Sequence, residues 1–153
     1  MANIVFNIAK GRVVEYYNRV ENNDPAASAL ILVPIETTGL ETDAVLIDKD
    51  DLAAVLSGTT NEQTTMGRKI LTDVELAALP APDDTNDRYD VSLPTVTWTA
   101  ATGSAISKIL VAYDADTAVG GDVNIIPLTM FDASVTPDGS DIQLTTGVFF
   151  RAS

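Results

Sequence analysis

The last third of the chain, residues 95–151, most constrains the fold, because short apolar runs alternate there with turn signals. Val96 and Trp98 alternate with threonines, the period of two expected for a strand with one buried face. Residues 136–139, Thr-Pro-Asp-Gly, are a β-turn signal, because proline presets φ and glycine tolerates a positive φ. Four or five short antiparallel strands with close turns are typical of a β-sandwich or jelly roll.

Three further segments of this third are predicted strands. In 106–113, Lys108 falls on one of the two faces, which predicts an antiparallel sheet with one partly solvated side. Residues 123–131 are apolar almost throughout, which indicates a strand buried on both faces or lying in an interface. Pro127 predicts an edge or a bulge there, because proline removes a ladder donor. Residues 142–151 are predicted to form the closing strands.

The first third is less regular. Residues 4–14 fit a short amphipathic helix or an extended arm, whereas 13–20 are rich in β-branched and aromatic residues and favour a strand. Residues 28–36 are densely apolar and predict a central strand that Pro34 cuts short. These two strands are predicted to form one hairpin.

The middle of the chain contains one predicted helix, at 50–57, with acidic residues at its start and Gly58 at its end. Strands are predicted at 68–71 and 89–93, and a loop at 80–87. The predicted fold is therefore one mainly β domain over 1–153, an antiparallel sandwich or jelly roll with one or two short helices. Residues 1–12 are a possible N-terminal arm or short helix.

Composition excludes several classes of function. The chain has no histidine and no cysteine, which removes the commonest general base, the commonest metal ligand and all thiol chemistry. The formal net charge of −13 argues against binding to nucleic acid or to anionic membranes, because both need clustered Lys and Arg. We expect no membrane span and no signal peptide, because the apolar runs are short and the start lacks a basic region.

One acidic loop is the best metal candidate in the sequence, but it lacks the glycine and glutamate of an EF-hand, and acidic surface loops are far commoner than Ca²⁺ sites. Its candidate ligands are Asp83, Asp84, Asp87 and Asp90. Asp48, Asp50 and Asp51 are a second acidic group, which is better explained by the helix N-terminus beside it. Carboxylate pairs also serve glycosidases, but the single Trp98 is at an inward-facing position and is predicted to be core. Gly-x-Ser-x-Gly and phosphate-binding loops are absent. We therefore predict no enzyme activity, no metal and no cofactor.

The apolar fraction is high, at 46%, for so charged a chain. It predicts either a well-filled core or a second apolar surface used in self-association, which also covers open sheet edges. The candidate interface residues are Ile4, Val5, Phe6, Ile126, Leu128, Met130, Phe149 and Phe150.

The segment 135–142, Val-Thr-Pro-Asp-Gly-Ser-Asp-Ile, followed by Gly-Val-Phe-Phe-Arg at 147–151, resembles the ending of small structural proteins of tailed double-stranded DNA bacteriophages. Segments 96–98, 109–114 and 126–128 match in the same order, and 6–12 also resembles this group. The resemblance covers most of the chain loosely and the last third more closely.

The resemblance implies a virion structural protein that decorates or cements the capsid exterior and is made in the host cytoplasm. Its implied partners are the major capsid protein and further copies of itself, as a homotrimer at three-fold positions of the shell. Residues 1–7 are a candidate arm that adds a strand to a partner. Deleting them should then weaken attachment but leave the melting temperature unchanged. The alternatives are a tail, neck or fibre-base component, and a carbohydrate- or calcium-binding β module.

Overall fold

The computed structural model describes residues 3–152. It is mainly β, with 35% strand and 16% helix in a single small domain, which confirms the predicted fold class. The strands are β1 (Asn3–Val5), β2 (Ala29–Glu36), β3 (Lys69–Leu71), β4 (Tyr89–Leu93), β5 (Val96–Trp98), β6 (Ile106–Asp114), β7 (Ile126–Val135), β8 (Ile142–Leu144) and β9 (Gly147–Ala152). The α-helices are α1 (Val13–Glu21), α2 (Asp43–Leu46) and α3 (Leu52–Leu56), with 3₁₀-helices at Asn7–Ala9 and Asp122–Asn124.

A five-stranded antiparallel sheet with the order β1-β7-β6-β2-β3 forms the centre of the domain. Both of its faces are covered. The small sheets β4–β9 and β5–β8 pack with α1 on one face, and α2 and α3 pack on the other. Two small sheets stacked on a large one agree with the predicted sandwich-like arrangement.

Lys108 corrects the prediction that one face of β6 is solvated. Val111 and Leu110, on opposite faces of β6, are both fully buried, and Lys108 is itself only 8% exposed. Its Nζ lies 2.8 Å from Asp132 Oδ1 and 3.1 Å from Asp43 Oδ1. Burial disfavours the ammonium, but the two carboxylates outweigh that effect and raise the pKa of Lys108. The sequence pattern alone therefore did not distinguish this buried, ion-paired lysine from a solvent-exposed one.

The strand predicted at residues 13–20 is wrong, because this segment is the helix α1. Its buried residues Val13, Tyr16, Tyr17 and Val20 are spaced at i, i+3, i+4 and i+7, which places them on one helical face against the sheet. The ring centroids of Tyr16 and Tyr113 are 4.5 Å apart in this contact. Helical periodicity has thus overridden β propensity, and the predicted hairpin between this segment and β2 does not form.

Proline has different effects in the two long strands. β2 is central, as predicted, but it continues through Pro34 to Glu36. The Pro34 carbonyl accepts a hydrogen bond from Gln63 N at 2.9 Å, on the side of β2 that faces away from β6. The Pro34 nitrogen lies on that same side, so its missing N–H removes no hydrogen bond between β2 and β6. Pro127 lies at a register shift, where Val111 pairs with Thr129 and Ala112 with Pro127, which confirms the predicted bulge.

The predicted helix at 50–57 is α3, and Asp51 caps it by accepting from Ala54 N at 2.7 Å. The helix α2 lies in a segment for which no helix was predicted. The predicted strands at 68–71, 89–93, 96–98 and 142–151 are all present.

In the described part of the N-terminal segment, residues 3–5 form β1 and residues 7–9 form the first 3₁₀-helix, so no single amphipathic helix spans 4–14. β1 pairs with β7, with Ile4 opposite Met130, and Phe6 N donates to Leu128 O at 3.0 Å. The first 3₁₀-helix follows, and Gly11 then turns the chain at a φ of 77°. Met1 and Ala2 of the predicted arm lie outside the described residues.

Candidate functional site

Half of the predicted interface residues are interior and offer no surface to a partner. Strand β7 lies between β1 and β6 and is covered on both faces, so its apolar run fills the core instead of an interface. The fully buried residues of the set are Phe6, Leu128, Met130 and Phe149, and the half-buried ones, which pack against the core, are Ile4, Val5, Ile126 and Phe150.

Exposed apolar side chains lie instead at the opposite edge of the sheet. Ile70, on the outermost strand β3, is 53% exposed. Val119, in the loop between β6 and β7, is 68% exposed, and Val123, in the 3₁₀-helix that follows this loop, is 66% exposed. We call these three residues the edge surface. Ile70 and Val119 border a recess of about 230 Å³ with Ile31 and Ile125 at its base. An edge strand beside exposed apolar side chains is a typical site for pairing with another chain.

An arginine holds this edge together. Arg68 Nη2 lies 2.6 Å from Glu62 Oε2, and Nη1 lies 2.7 Å from Asp122 Oδ1. The guanidinium also donates to the second oxygen of each carboxylate, so both pairs are two-point contacts. The hydrogen bonds from Arg68 lower the pKa of Asp122. We call this pairing of Arg68 with Glu62 and Asp122 the clamp. It fixes Asp122, and with it the start of the 3₁₀-helix that contains Val123, against β3.

We expect the Asp122 carboxyl to titrate below its ordinary value of 3.8, and to return towards that value in Arg68→Ala. Because the folded-state pKa is depressed, the clamp stabilises the fold above the unfolded-state pKa, and this contribution is lost as the pH falls through the folded value. Carboxyl ¹³C NMR titration measures the shift. Arg12→Ala, which removes contacts with Glu15 and with the Tyr16 ring and none with Asp122, is the control and should leave the Asp122 pKa unchanged. An unchanged Asp122 pKa in Arg68→Ala would contradict the clamp.

A second recess, of about 450 Å³, opens over the other face of the sheet; we call it the Trp98 groove. Its floor is apolar and its rim is polar and acidic. The floor and walls are formed by Trp98, Ile106, Ile109, Ala133, Val135, Ile142 and Leu144, and the rim by Ser134, Thr136, Asp138, Ser140, Asp141 and Gln143.

The rim of the Trp98 groove is formed largely by residues 134–143, which include the Thr-Pro-Asp-Gly turn. Gly139 N donates to Ala101 O at 2.7 Å, and Ala101 N donates to Ser140 O at 3.0 Å. Asp141 Oδ1 accepts from Ala100 N at 2.8 Å. These bonds hold the turn against the loop after β5, so the rim has a defined shape before anything binds.

The acidic loop does not gather its carboxylates around one point. Arg88 Nε lies 3.2 Å from Asp83 Oδ2 and 3.3 Å from Asp90 Oδ2, and Asp90 also pairs with Arg151. Asp84 and Asp87 are exposed beside them. Across residues 3–152, no three acidic side chains are placed to hold a metal ion. The arginines therefore occupy the positions that a cation would need.

The sequence did not predict the edge surface, because Ile70 is far along the chain from Val119 and Val123 and the three residues form no motif. Val119 lies in the loop before Gly120-Gly121, whereas Val123 was predicted to begin the apolar strand 123–131 and instead lies in the second 3₁₀-helix. Only the fold brings this loop and helix to β3.

Comparison of the chain with protein-family models, with curated proteins and with solved structures gives no match. Within the described part of the chain, no helix has the length and apolar character needed to cross a bilayer.

Proposed function

We propose that this chain is a non-enzymatic virion structural protein of a tailed double-stranded DNA bacteriophage, and that it decorates the outside of the capsid shell. In this proposal it binds the major capsid protein and associates with itself as a homotrimer. The phage assignment rests on the resemblance of the C-terminal third to such proteins. The observation that carries an interaction role is the edge surface, an exposed apolar strand edge on an otherwise strongly acidic chain.

The edge surface suits self-association for a local electrostatic reason. Three of the charged groups beside it, Arg68, Glu62 and Asp122, are already paired with one another. This pairing lowers the local repulsion between two copies that meet there, on a chain whose formal net charge is −13.

The carbohydrate- or calcium-binding alternative has less support. Trp98 is 2% exposed, and its Nε1 donates to Gly67 O at 2.9 Å, so its ring is packed in the core and offers no open platform for a sugar. The carboxylates of Asp83 and Asp90 are engaged with arginines. Calcium titration monitored by calorimetry should accordingly give no binding heat.

Co-sedimentation tests the capsid proposal. Purified protein is mixed with mature phage heads that lack it and, separately, with isolated tails. Saturable binding to heads, at a fixed ratio of copies to shell subunits, supports decoration. Binding at only a few copies per particle, or to tails alone, would instead indicate a neck, tail or fibre-base component.

We expect Ile70→Asp to raise the dissociation constant of the homotrimer by about tenfold or more, because it places a charge at the centre of the edge surface. Sedimentation velocity across a dilution series measures this constant. Val148→Asp is the matched control, since Val148 is 43% exposed on β9, in the layer on the other face of the sheet. Equal effects of both substitutions would exclude the edge surface as the self-association site.

A further inference from the structure

We propose that the Trp98 groove binds an extended segment of a partner protein that carries one large apolar side chain flanked by lysine or arginine. The apolar side chain enters the groove, and the basic residues face Asp138 and Asp141 on its rim. The inference rests on the proposed function only for the source of that segment, which would be the capsid shell.

The apolar floor determines what can enter the groove. Trp98, Ile106 and Ile109 at its base are 2% exposed or less, so the apolar surface that an occupant contacts belongs mainly to the half-buried Ala133, Val135, Ile142 and Leu144. The volume of about 450 Å³ exceeds that of one large side chain and leaves room for the backbone that carries it. Since the rim turn is already hydrogen-bonded to Ala101, binding requires little ordering of the protein.

Charge determines the character of the flanking residues. Asp138 accepts from Ser140, and Asp141 accepts from the Ala100 amide, but both of these donors are neutral. Among residues 3–152, neither carboxylate has a Lys or Arg within ion-pair distance, unlike Asp83, Asp90 and Asp122. Both side chains are exposed on the rim. Their negative charge is therefore available to a basic partner.

The same charges disfavour the other occupants. A second copy would bring its own acidic surface, with a formal net charge of −13, against the rim. A nucleic acid would bring phosphates. A calcium ion needs six to eight oxygen ligands, and no group of three acidic side chains suited to a metal exists in the described part of the chain.

The experiment titrates the full chain with the peptide Thr-Lys-Val-Leu-Val-Lys-Thr, whose lysines and leucine share one face of an extended chain. Two comparison peptides replace the lysines by glutamate or the leucine by serine. The single tryptophan is the reporter, through its indole NMR signal and its fluorescence, because it lines the groove.

We expect the Lys-Leu-Lys peptide to shift the Trp98 signals and the two comparison peptides to bind more weakly. The double variant Asp138→Asn with Asp141→Asn should lower the affinity by about threefold to tenfold, the effect of losing two exposed charge pairs. Asp73→Asn with Asp84→Asn removes two exposed charges elsewhere and should leave the affinity unchanged. Equal binding of all three peptides, or no response of Trp98, would overturn the proposal.

Co-sedimentation with phage heads separates this inference from the proposed function. If the wild-type chain binds heads and the Asp138/Asp141 variant binds them equally well, the groove inference fails and the capsid function stands. If the wild-type chain does not bind heads but binds the Lys-Leu-Lys peptide with the expected dependence on Asp138 and Asp141, the capsid function fails and the groove stands.

Discussion

Replacing Phe6 with alanine is expected to lower the free energy of unfolding by about 3–5 kcal/mol. Phe6 is fully buried in the core layer formed with Leu46, Leu110 and Met130. Its removal leaves a cavity that the surrounding strands and helices cannot fill, because the backbone on both sides is fixed. Phe6 N bonds Leu128 O at 3.0 Å, and Asn7 N bonds Ile47 O at 2.9 Å.

Chemical denaturation of Phe6→Ala beside the wild-type chain measures this loss. The control is Ile8→Ala, two residues along and 36% exposed, which should change the stability by much less. The comparison also decides the role of the N-terminal segment. If the segment acts as an arm, Phe6→Ala weakens binding to the partner and leaves the melting temperature of the isolated chain unchanged. If the segment is part of the core, Phe6→Ala lowers that melting temperature. An unchanged melting temperature would therefore support the arm hypothesis.

Local patterns predicted most of the strands, but they misassigned residues 13–20 and began the strand that became β7 three residues too early. β5, β6 and β8 follow a period of two, or an apolar run, that is visible in a few residues. In α1, two patterns competed in the same nine residues. Val13, Tyr16, Tyr17 and Val20 have helical spacing, yet their residue types favour strands, and here the spacing determined the structure.

The sequence did not predict which distant strands pair with each other. β1 pairs with β7 across most of the chain length and β4 with β9 across more than a third of it, and nothing local in either partner encodes the choice. The candidate sites depend on these pairings. The Trp98 groove needs the ends of β7 and β8 beside Trp98, and the edge surface needs the loop before β7 beside β3. The turn 135–142 was recognised from its residues, but its position on a groove rim was not.

Replacing Trp98 with alanine is expected to cost about 3–5 kcal/mol of unfolding free energy and also to abolish peptide binding in the groove. Trp98 is 2% exposed and joins three parts of the fold. It lies on β5, its Nε1 donates to Gly67 O at 2.9 Å, and the Lys69 ammonium lies 5.9 Å from its ring centroid. The substitution thus removes a large core side chain that also supports the base of the groove.

Trp98→Phe separates the contribution of the apolar core contact from that of the hydrogen bond to Gly67 O. Phenylalanine keeps most of the apolar contact but leaves the Gly67 carbonyl without its donor, so we expect a smaller loss, about 1–3 kcal/mol. Since the aromatic floor persists, binding of the Lys-Leu-Lys peptide should survive in Trp98→Phe, followed by backbone amide NMR in place of the lost tryptophan signals. If Trp98→Phe is as unstable as Trp98→Ala, the bond to Gly67 accounts for most of the stability that Trp98 contributes. If it keeps its stability but no longer binds the peptide, the indole itself is the recognition surface of the groove.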